Sequence, residues 1–199
     1  KRINPTIEED TIKEIVKTLR QDYTGTDIVD TNYKLYRQIR NHRKITIRRN
    51  GKEDFDFVKL IDFEHPENNT FTAVSQMWIQ GKVYYRRPDI LIFVNGMPLV
   101  FIELKNSIVK VEEAYNKNLK DYIRDIPNLF AFNQICVLSN GLETKLGAFN
   151  ATYDYFFEWL KVDSEKEKLD REAILAADHV KDSSVRYFVD GLLNKKRLI

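Results

Sequence analysis

Three side chains that could do chemistry stand at the two ends of the most apolar stretch of this sequence, residues 90–102. Asp89 precedes the stretch, and Glu103 and Lys105 follow it. Charged groups at the margin of a core are costly unless they pair with one another or hold a metal ion. Two carboxylates with bound water suit Mg²⁺, which would polarise a phosphate and lower the pKa of a bound water. Lys105 would then orient the nucleophile or balance the developing charge, so the chemistry indicated is phosphodiester hydrolysis.

The three groups can act together only if they lie on one face of a sheet. Glu103 and Lys105 are two apart in a strand and therefore share a face. Asp89 lies on that same face if the hairpin connection pairs residues of the two strands whose numbers add up to an even value, as 89 and 103 do. A two-residue turn at Asn95-Gly96 gives odd sums and the opposite face, whereas a three-residue loop over residues 94–96 gives even sums. The chemistry thus requires a connection that the Asn-Gly signal does not guarantee, unless strand twist brings the groups together.

The hydrophobic pattern predicts the elements that must position these side chains. Period-two alternation and apolar runs predict strands at residues 44–49, 55–63, 70–79, 82–86, 89–94, 99–105, 133–139 and 144–149. Helical spacing predicts helices at residues 6–20, 30–40, 108–126, 151–161 and about 168–193. This order predicts an α/β fold with a central mixed, mostly antiparallel sheet flanked by helices.

Composition limits the classes of function. The 199 residues carry a net charge of +2, which is compatible with nucleic-acid binding only through local clusters such as Arg86-Arg87. The single cysteine, Cys136, excludes an internal disulfide, argues against a zinc site and favours a reducing, cytoplasmic compartment. Asn95-Gly96 and Pro98 interrupt the apolar stretch, so no membrane span is predicted. The sequence has neither a nucleophile elbow nor a Cys-His arrangement typical of serine or cysteine hydrolases.

The order Pro88-Asp89, then Glu103-x-Lys105 after a hydrophobic strand, is the pattern of the PD-(D/E)xK nucleases. That pattern alone is short enough to recur by chance, but the surrounding sequence is more specific. The segments NNTFTAVSQMWIQGKVYYRRPDILIFVNGMPLVFIELKN and AYNKNLKDYIRDIPNLFAFNQICVLSNG closely resemble the N-terminal nuclease region of the restriction (R) subunit of type I restriction enzymes. Looser similarity extends to INP, LIDFEHPENN and FFEWLK.

The resemblance implies a fold, an activity and partners. It implies a restriction-endonuclease-like PD-(D/E)xK core, with an N-terminal helical segment at 1–45, the nuclease core at 46–160 and a C-terminal helical extension at 161–199 leading toward a motor domain. It implies a type I site-specific deoxyribonuclease of bacterial or archaeal cytoplasm that cleaves double-stranded DNA with Mg²⁺, together with modification and specificity subunits. The sequence contains no G-x-x-x-x-G-K-[ST] loop, so ATP is expected only for the full-length subunit.

One departure from the family pattern concerns the helix after the lysine. Nucleases of this group often carry Gln-x-x-x-Tyr there. Alignment on Leu119 and Tyr122 puts the Gln position at Asn118, with one extra residue relative to Ala114. Positions 118 and 122 are one turn apart on the same face, so both side chains are predicted to face the site and the substrate. The alternative is that this helix face packs on the sheet.

Other interpretations of the same residues stay open. Asp89, Glu103 and Lys105 could form a salt-bridged cluster at a sheet edge without a metal. The nuclease fold could also serve as a catalytically silent module for DNA binding or assembly, which a metal-induced rise in melting temperature would distinguish from an active site. Gln76, at the end of the strand FTAVS, is expected to make a strand-end hydrogen bond rather than a substrate contact.

Overall fold

The computed structural model describes residues 1–49, 51–159 and 184–199. Two amphipathic helices open the chain, α1 (Glu9–Leu19) and α2 (Ile28–Asn41). The Asp27 carboxylate begins α2 by accepting hydrogen bonds from the backbone N–H groups of Val29 and Asp30, at 2.9 and 3.1 Å. The predicted helices at 6–20 and 30–40 are therefore confirmed, with shifted first residues.

The strands form three sheets. Strands β1 (Arg43–Arg49) and β2 (Lys52–Val58) make a separate antiparallel pair, as do β4 (Ile79–Gln80) and β5 (Tyr85–Arg86). The central sheet has six strands in the order β10-β9-β8-β7-β6-β3. Its strands are β3 (Phe71–Ser75), β6 (Ile90–Val94), β7 (Met97–Leu104), β8 (Ile135–Ser139), β9 (Thr144–Gly147) and β10 (Phe157–Glu158). Only the β7–β8 pair is parallel, so the predicted mixed, mostly antiparallel sheet is confirmed.

The parallel pair requires a crossover, which one helix, α3, supplies. Its backbone is α-helical at Val111–Glu113, π-helical at Ala114–Leu119 and α-helical again at Lys120–Asp125. A short 3-10 segment, Pro127–Ala131, then leads into β8. Within the described residues 184–199, the chain forms two helices, α4 (Ser184–Gly191) and α5 (Lys195–Leu198).

Side chains alternate between two cores, one on each face of the central sheet. On one face Val94, Val100 and Val137 pack with Leu35 of α2 and Phe188 of α4. On the other face the sheet side chains pack against α3; they include Leu91, Phe101 and Leu138. Because Asp89 and Glu103 are two residues from Leu91 and Phe101 respectively, they continue the α3 face. The candidate site therefore lies at the end of that face.

Several predicted strands are shorter than expected. The strand predicted at 55–63 ends at Val58, because the chain turns into a loop that the Asn4 side chain holds by both backbone groups of Lys59, each at 2.8 Å. The strand predicted at 70–79 ends at Ser75, since Gln76 has a φ of 54°. The strands predicted at 82–86 and 144–149 shrink to β5 and β9.

The helix predicted at 151–161 is wrong. Residues Tyr153–Tyr155 form one 3-10 turn, and Phe157 and Glu158 instead pair with β9 as strand β10. Phe156 is buried in the core beneath α3, which fixes the chain in an extended conformation there. The helix predicted at about 168–193 lies partly outside the described residues, which begin again at 184. Its described part is helical from Ser184 to Gly191. Among the described residues no helix is both long and apolar enough to cross a bilayer.

Candidate active site

The turn between β6 and β7 has two residues. Asn95 and Gly96 adopt φ angles of 50° and 83°, and Val94 pairs directly with Met97. Two consecutive positive φ angles are the signature of the type I′ turn, for which Asn-Gly is the favoured pair. The three-residue loop is therefore wrong. By itself this turn would place Asp89 and Glu103 on opposite faces.

A β-bulge in β7 restores the register that the chemistry requires. The pairing shifts between Ile92 and Phe93, so that Ile92 faces Val100 and Leu99 is left as an extra residue. The neighbours Leu99 and Val100 consequently both point into the same core. Beyond the bulge Ile90 pairs with Ile102. One step further along this register, Asp89 lies across from Glu103 on the α3 face.

Three hydrogen bonds fix Asp89. The backbone N–H of Leu104 donates to its Oδ2 at 2.8 Å, and the side-chain amide Nε2 of Gln76 donates to its Oδ1 at 2.8 Å. The Gln76 backbone N–H also donates to the Asp89 carbonyl oxygen at 2.9 Å. The carboxylate is therefore held on both oxygens by groups from two neighbouring strands.

Glu103 is the most constrained member of the group. The side chain is buried, with the residue 3% exposed, and Lys105 Nζ donates to its Oε1 at 2.8 Å. Its Oε2 is also buried, and within the described ranges no side chain or backbone group hydrogen-bonds to it. Burial raises the pKa of Glu103 and the charge of Asp89 raises it further, while Lys105 and the neighbouring Tyr122 hydroxyl lower it. A buried carboxylate oxygen without a partner is costly, so this atom is a candidate ligand for a cation.

The backbone of Lys105 is fixed by a hydrogen bond, whereas its side chain is partly exposed to solvent. Its backbone N–H donates to the Ser139 carbonyl oxygen of β8 at 2.7 Å, directly after the parallel strand pair ends. The side chain is 22% exposed. An ammonium group has three donors, and the bond to Glu103 uses one of them. Lys105 can therefore reach from Glu103 to a ligand at the surface.

Tyr122 and Asn118 reach the same region from α3. The Tyr122 ring is buried and meets the Phe101 ring edge-on at a centroid distance of 5.6 Å, and its hydroxyl donates to the Arg87 carbonyl oxygen at 3.3 Å. Burial and then the charge of Glu103 raise the pKa of Tyr122 to about 12, whereas hydrogen bonding by Asn118 lowers it. The two side chains thus lie side by side near the carboxylates, and the Tyr122 ring is also part of the core.

The extra residue noted in this helix is absorbed by its π-helical segment. Ala114 and Leu119 are five residues apart, yet both are completely buried on the face toward the sheet. In a regular α-helix that spacing would rotate one of them away from the core, but an i→i+5 segment accommodates one more residue per turn. The segment thereby keeps both Val111 and Tyr122 on the buried face.

The chemistry of these donors fits a hard divalent cation. Asp89 and Glu103 offer carboxylate oxygens, and in the part of the chain that the structure describes no group of three or more His, Cys, Asp or Glu is placed to hold a metal. Mg²⁺ is commonly bound by one or two carboxylates with water completing its shell, whereas structural zinc needs more protein ligands. The unpartnered Oε2 of Glu103 is the atom that such an ion would satisfy.

Sequence reasoning assigned Gln76 a strand-end hydrogen bond without identifying its partner. Strand β3 pairs with β6 so that Ser75 faces Ile90, and one further step places Gln76 opposite Asp89. Gln76 and Asp89 are thirteen positions apart in the chain, and the residues between them include the β4–β5 hairpin, whose path a hydrophobic pattern does not reveal. Only the pairing of β3 with β6 identifies this contact.

Comparison with known proteins identifies relatives of the chain. The family described as the type I restriction enzyme R protein N terminus matches residues 1–155. The chain is 32% identical over 203 residues to the type I restriction enzyme HindI endonuclease subunit of Haemophilus influenzae, covering 100% of the chain and 18% of that relative. It is 32% identical over 219 residues to the putative type I restriction enzyme MjaIXP endonuclease subunit of Methanocaldococcus jannaschii, covering 100% and 20%. The Escherichia coli EcoprrI endonuclease subunit is 33% identical over 116 residues, covering 54% and 36%.

The chain spans about a fifth of the length of the first two relatives. The family match covers most of the chain, and it includes both strands whose ends carry Asp89, Glu103 and Lys105. Relatives from a bacterium and an archaeon align with it from end to end. The chain belongs to the family of type I restriction enzyme R protein N-terminal regions.

Proposed function

We propose that this chain is the Mg²⁺-dependent endonuclease domain of a type I restriction enzyme and hydrolyses phosphodiester bonds of double-stranded DNA. The observation that carries this proposal is the Glu103 carboxylate. One of its oxygens binds Lys105 at 2.8 Å, while the other is buried without a hydrogen-bond partner among the described residues. A purely structural ion pair would gain by satisfying both oxygens. A carboxylate that faces Asp89 with one oxygen unsatisfied suits a metal ligand better.

The proposed role of each residue at the site follows from the chemistry of its side chain. Asp89 and Glu103 would hold Mg²⁺, which when bound polarises the phosphate and lowers the pKa of a coordinated water. Lys105 keeps its remaining donors for the nucleophile or for a phosphate oxygen. The hydroxyl of Tyr122, with a pKa of about 12, stays protonated at neutral pH. It could donate a hydrogen bond to substrate by giving up its 3.3 Å bond to the Arg87 carbonyl oxygen, since a phenol has one O–H, but it does not act as a base. The Asn118 amide could also donate to substrate.

A second feature supports a polyanionic substrate. Residues 68–88, which lead directly to Asp89, contain Lys82, Arg86 and Arg87 and no Asp or Glu, in a chain with 30 acidic residues. Within this stretch, residues 77–87 form the β4–β5 hairpin with its flanks, which we term the basic hairpin. Phosphate groups bind such surfaces without sequence selection.

The basic hairpin is fixed on one side and open on the other. The Arg86 guanidinium donates to the Asp125 carboxylate of α3, through Nε at 2.7 Å. The Trp78 side chain is 63% exposed, and the Arg87 guanidinium lies 5.0 Å from the centre of its ring. An aromatic ring beside a cation is a favoured contact surface for nucleic acid. The open side therefore suits DNA next to the scissile phosphate.

The proposed partners follow from the relatives, which are endonuclease subunits of multisubunit enzymes by their names. Modification and specificity subunits would choose the DNA sequence, and a motor elsewhere in the full-length subunit would use ATP. The buried free thiol of Cys136 suits the reducing cytoplasm of a bacterium or archaeon.

Alanine substitutions in the assembled enzyme test the proposal. Asp89→Ala, Glu103→Ala and Lys105→Ala should each lower DNA cleavage by at least about 10²-fold, the usual worth of such groups, while ATPase activity persists. Lys117→Ala is the matched control, since Lys117 is an exposed lysine of α3 whose ion pair, among the described residues, is with Glu113 at the surface. Cleavage retained by Lys105→Ala would reject its assignment. DNA binding without cleavage, and without a metal-induced rise in melting temperature, would instead indicate the catalytically silent module.

A further inference from the structure

Gln76 has an uncommon backbone conformation at the end of β3. Its φ of 54° lies in the left-handed region, which is disfavoured for residues with a Cβ and is usually taken by Gly, Asn or Asp. Gln76 is exposed, so core packing does not explain why this conformation is kept. Strained backbone that persists at one residue points to a role for that residue.

The left-handed conformation lets Gln76 contact Asp89 twice. The backbone N–H donates to the Asp89 carbonyl oxygen at 2.9 Å, and the side-chain Nε2 donates to Asp89 Oδ1 at 2.8 Å. The other carboxylate oxygen, Oδ2, accepts from the Leu104 backbone N–H at 2.8 Å. With a donor on each oxygen, the carboxylate cannot rotate about its χ2 bond without losing a hydrogen bond.

We propose that Gln76 is a positioning residue that sets the orientation of the Asp89 carboxylate for a divalent cation. The inference rests on the proposed function, because it takes Asp89 as a metal ligand. A carboxylate has about four lone-pair sites, of which Gln76 and Leu104 use two and leave the others for an ion. Groups that orient metal ligands in this way typically change metal affinity by 10–100-fold when removed.

Two substitutions separate this role from a structural one. Gln76→Gly removes the amide and also relieves the left-handed backbone, so the melting temperature without metal should stay the same or rise. The Kd for Mn²⁺ or Mg²⁺, measured by calorimetry on the chain, should increase by about 10–100-fold. Gln76→Asn tolerates the positive φ and keeps an amide, but it is one methylene shorter and should lose affinity to a similar extent.

The control for the backbone is His42→Gly. His42 also has a positive φ, 61°, and lies between α2 and β1. Its substitution should relieve the backbone as Gln76→Gly does and leave the metal Kd unchanged. In cleavage assays, the Gln76→Gly defect should be recovered at high Mg²⁺, whereas the Lys105→Ala defect should not.

The outcomes distinguish this inference from the proposed function. If Asp89→Ala abolishes metal binding but both Gln76 variants bind metal like the unchanged chain, the positioning role is overturned and the metal site stands. A lower melting temperature in Gln76→Gly with an unchanged metal Kd would assign Gln76 a structural role only. If the unchanged chain binds neither Mg²⁺ nor Mn²⁺, both proposals fall.

Discussion

Under the proposed function, Glu103 would serve chemistry at the expense of the stability of the fold. Burial raises its pKa, because the ionised form loses hydration that the hydrogen bond from Lys105 and the nearby Tyr122 hydroxyl do not replace. When Glu103 is ionised, the metal-free protein therefore keeps an incompletely paired charge in its interior. Functional sites commonly carry such a penalty, and substitutions that remove it stabilise the fold.

Glu103→Gln should raise the melting temperature of the metal-free chain. Gln has the same shape and still accepts a hydrogen bond from Lys105, but it is neutral, so the free energy of unfolding should increase by about 0.5–2 kcal/mol. The same substitution should abolish any rise in melting temperature caused by Mg²⁺ or Mn²⁺. Thermal melts with and without metal measure both effects. A lower melting temperature in metal-free buffer would contradict this account of Glu103.

Tyr122 combines a packed ring with a hydroxyl near the carboxylates. Tyr122→Ala removes the edge-on contact with Phe101 and should lower the free energy of unfolding by about 3–5 kcal/mol, as other buried aromatic truncations do. Tyr122→Phe keeps that packing and should lower cleavage alone, if the hydroxyl donates to substrate. Denaturant melts and cleavage assays separate the two effects. Normal cleavage by Tyr122→Phe would leave Tyr122 a packing role only, and Asn118→Gln is expected to be tolerated.

At the level of residues, the sequence indicated Asp89, Glu103 and Lys105, because charged residues that flank an apolar stretch can be recognised in the sequence. The face on which Asp89 lies could not be recognised in this way, since it depends on the Leu99 bulge together with the two-residue turn. A bulge of this kind leaves no signal in a chain of apolar residues. The partner of Gln76 was hidden for a related reason, because the register of β3 against β6 is set across an intervening hairpin.

Among the elements, α3 has an irregular backbone that keeps its buried side chains on one face. Its π-helical segment, Ala114–Leu119, lets one surplus residue bulge without rotating the residues on either side. The buried side chains before and after it therefore keep to one face, although their spacing is not that of an α-helix. The surplus position should be dispensable for packing.

Deletion of Lys117 tests this interpretation. Lys117 is exposed and, within the part of the chain that the structure describes, pairs with Glu113 alone. Its removal should convert the segment to regular α-helix and change the melting temperature by no more than a few degrees. Deletion of Arg37 is the control, because it lies between the buried Leu35 and Ile39 of α2, a helix without a surplus residue. That deletion misplaces Ile39 and should cost about 2–5 kcal/mol. Equal losses in both deletions would contradict the proposed role of the segment.

The pattern of apolar residues predicted most of the central strands and the first three helices, because each has one buried face. The predictions from this pattern were least accurate at the ends of elements and at short strands. The strand predicted at 70–79 ignored the left-handed Gln76, and the helix predicted at 151–161 ignored the pairing of Phe157 with Leu146. Both outcomes depend on distant partners, which local periodicity does not contain.

Over the whole molecule, positive charge is distributed unevenly despite a net charge of only +2. The basic hairpin carries its cations without nearby acids in sequence; among the described residues, Arg86 forms ion pairs with carboxylates of α3, and Lys82 lies near Asp22. The hairpin precedes Asp89 directly in the chain, and the proposed function has DNA lie on its open side next to the carboxylates. DNA bound there should contribute phosphate contacts whose strength falls with salt.

Trp78→Ala and Arg87→Ala should each weaken binding of a labelled DNA duplex by about tenfold, measured by fluorescence anisotropy with divalent metal removed to prevent cleavage. Arg87→Ala should in addition reduce the slope of log affinity against log salt by about one. Arg37→Ala, an exposed cation on α2, is the control. Unchanged binding in both hairpin variants would mean that DNA lies elsewhere and that the exposed tryptophan meets another part of the enzyme.

The bulge at Leu99 also has a genetic consequence. Loss or gain of a single codon between those for Asp89 and Glu103 preserves the reading frame, yet it would send the two carboxylates to opposite sides of the sheet. Such a gene would still encode an intact protein of almost unchanged composition, but the carboxylates of Asp89 and Glu103 would no longer lie on one face of the sheet. Lineages descending from a common ancestor should therefore alter the length of this stretch by two codons at a time, or by one codon together with a compensating bulge.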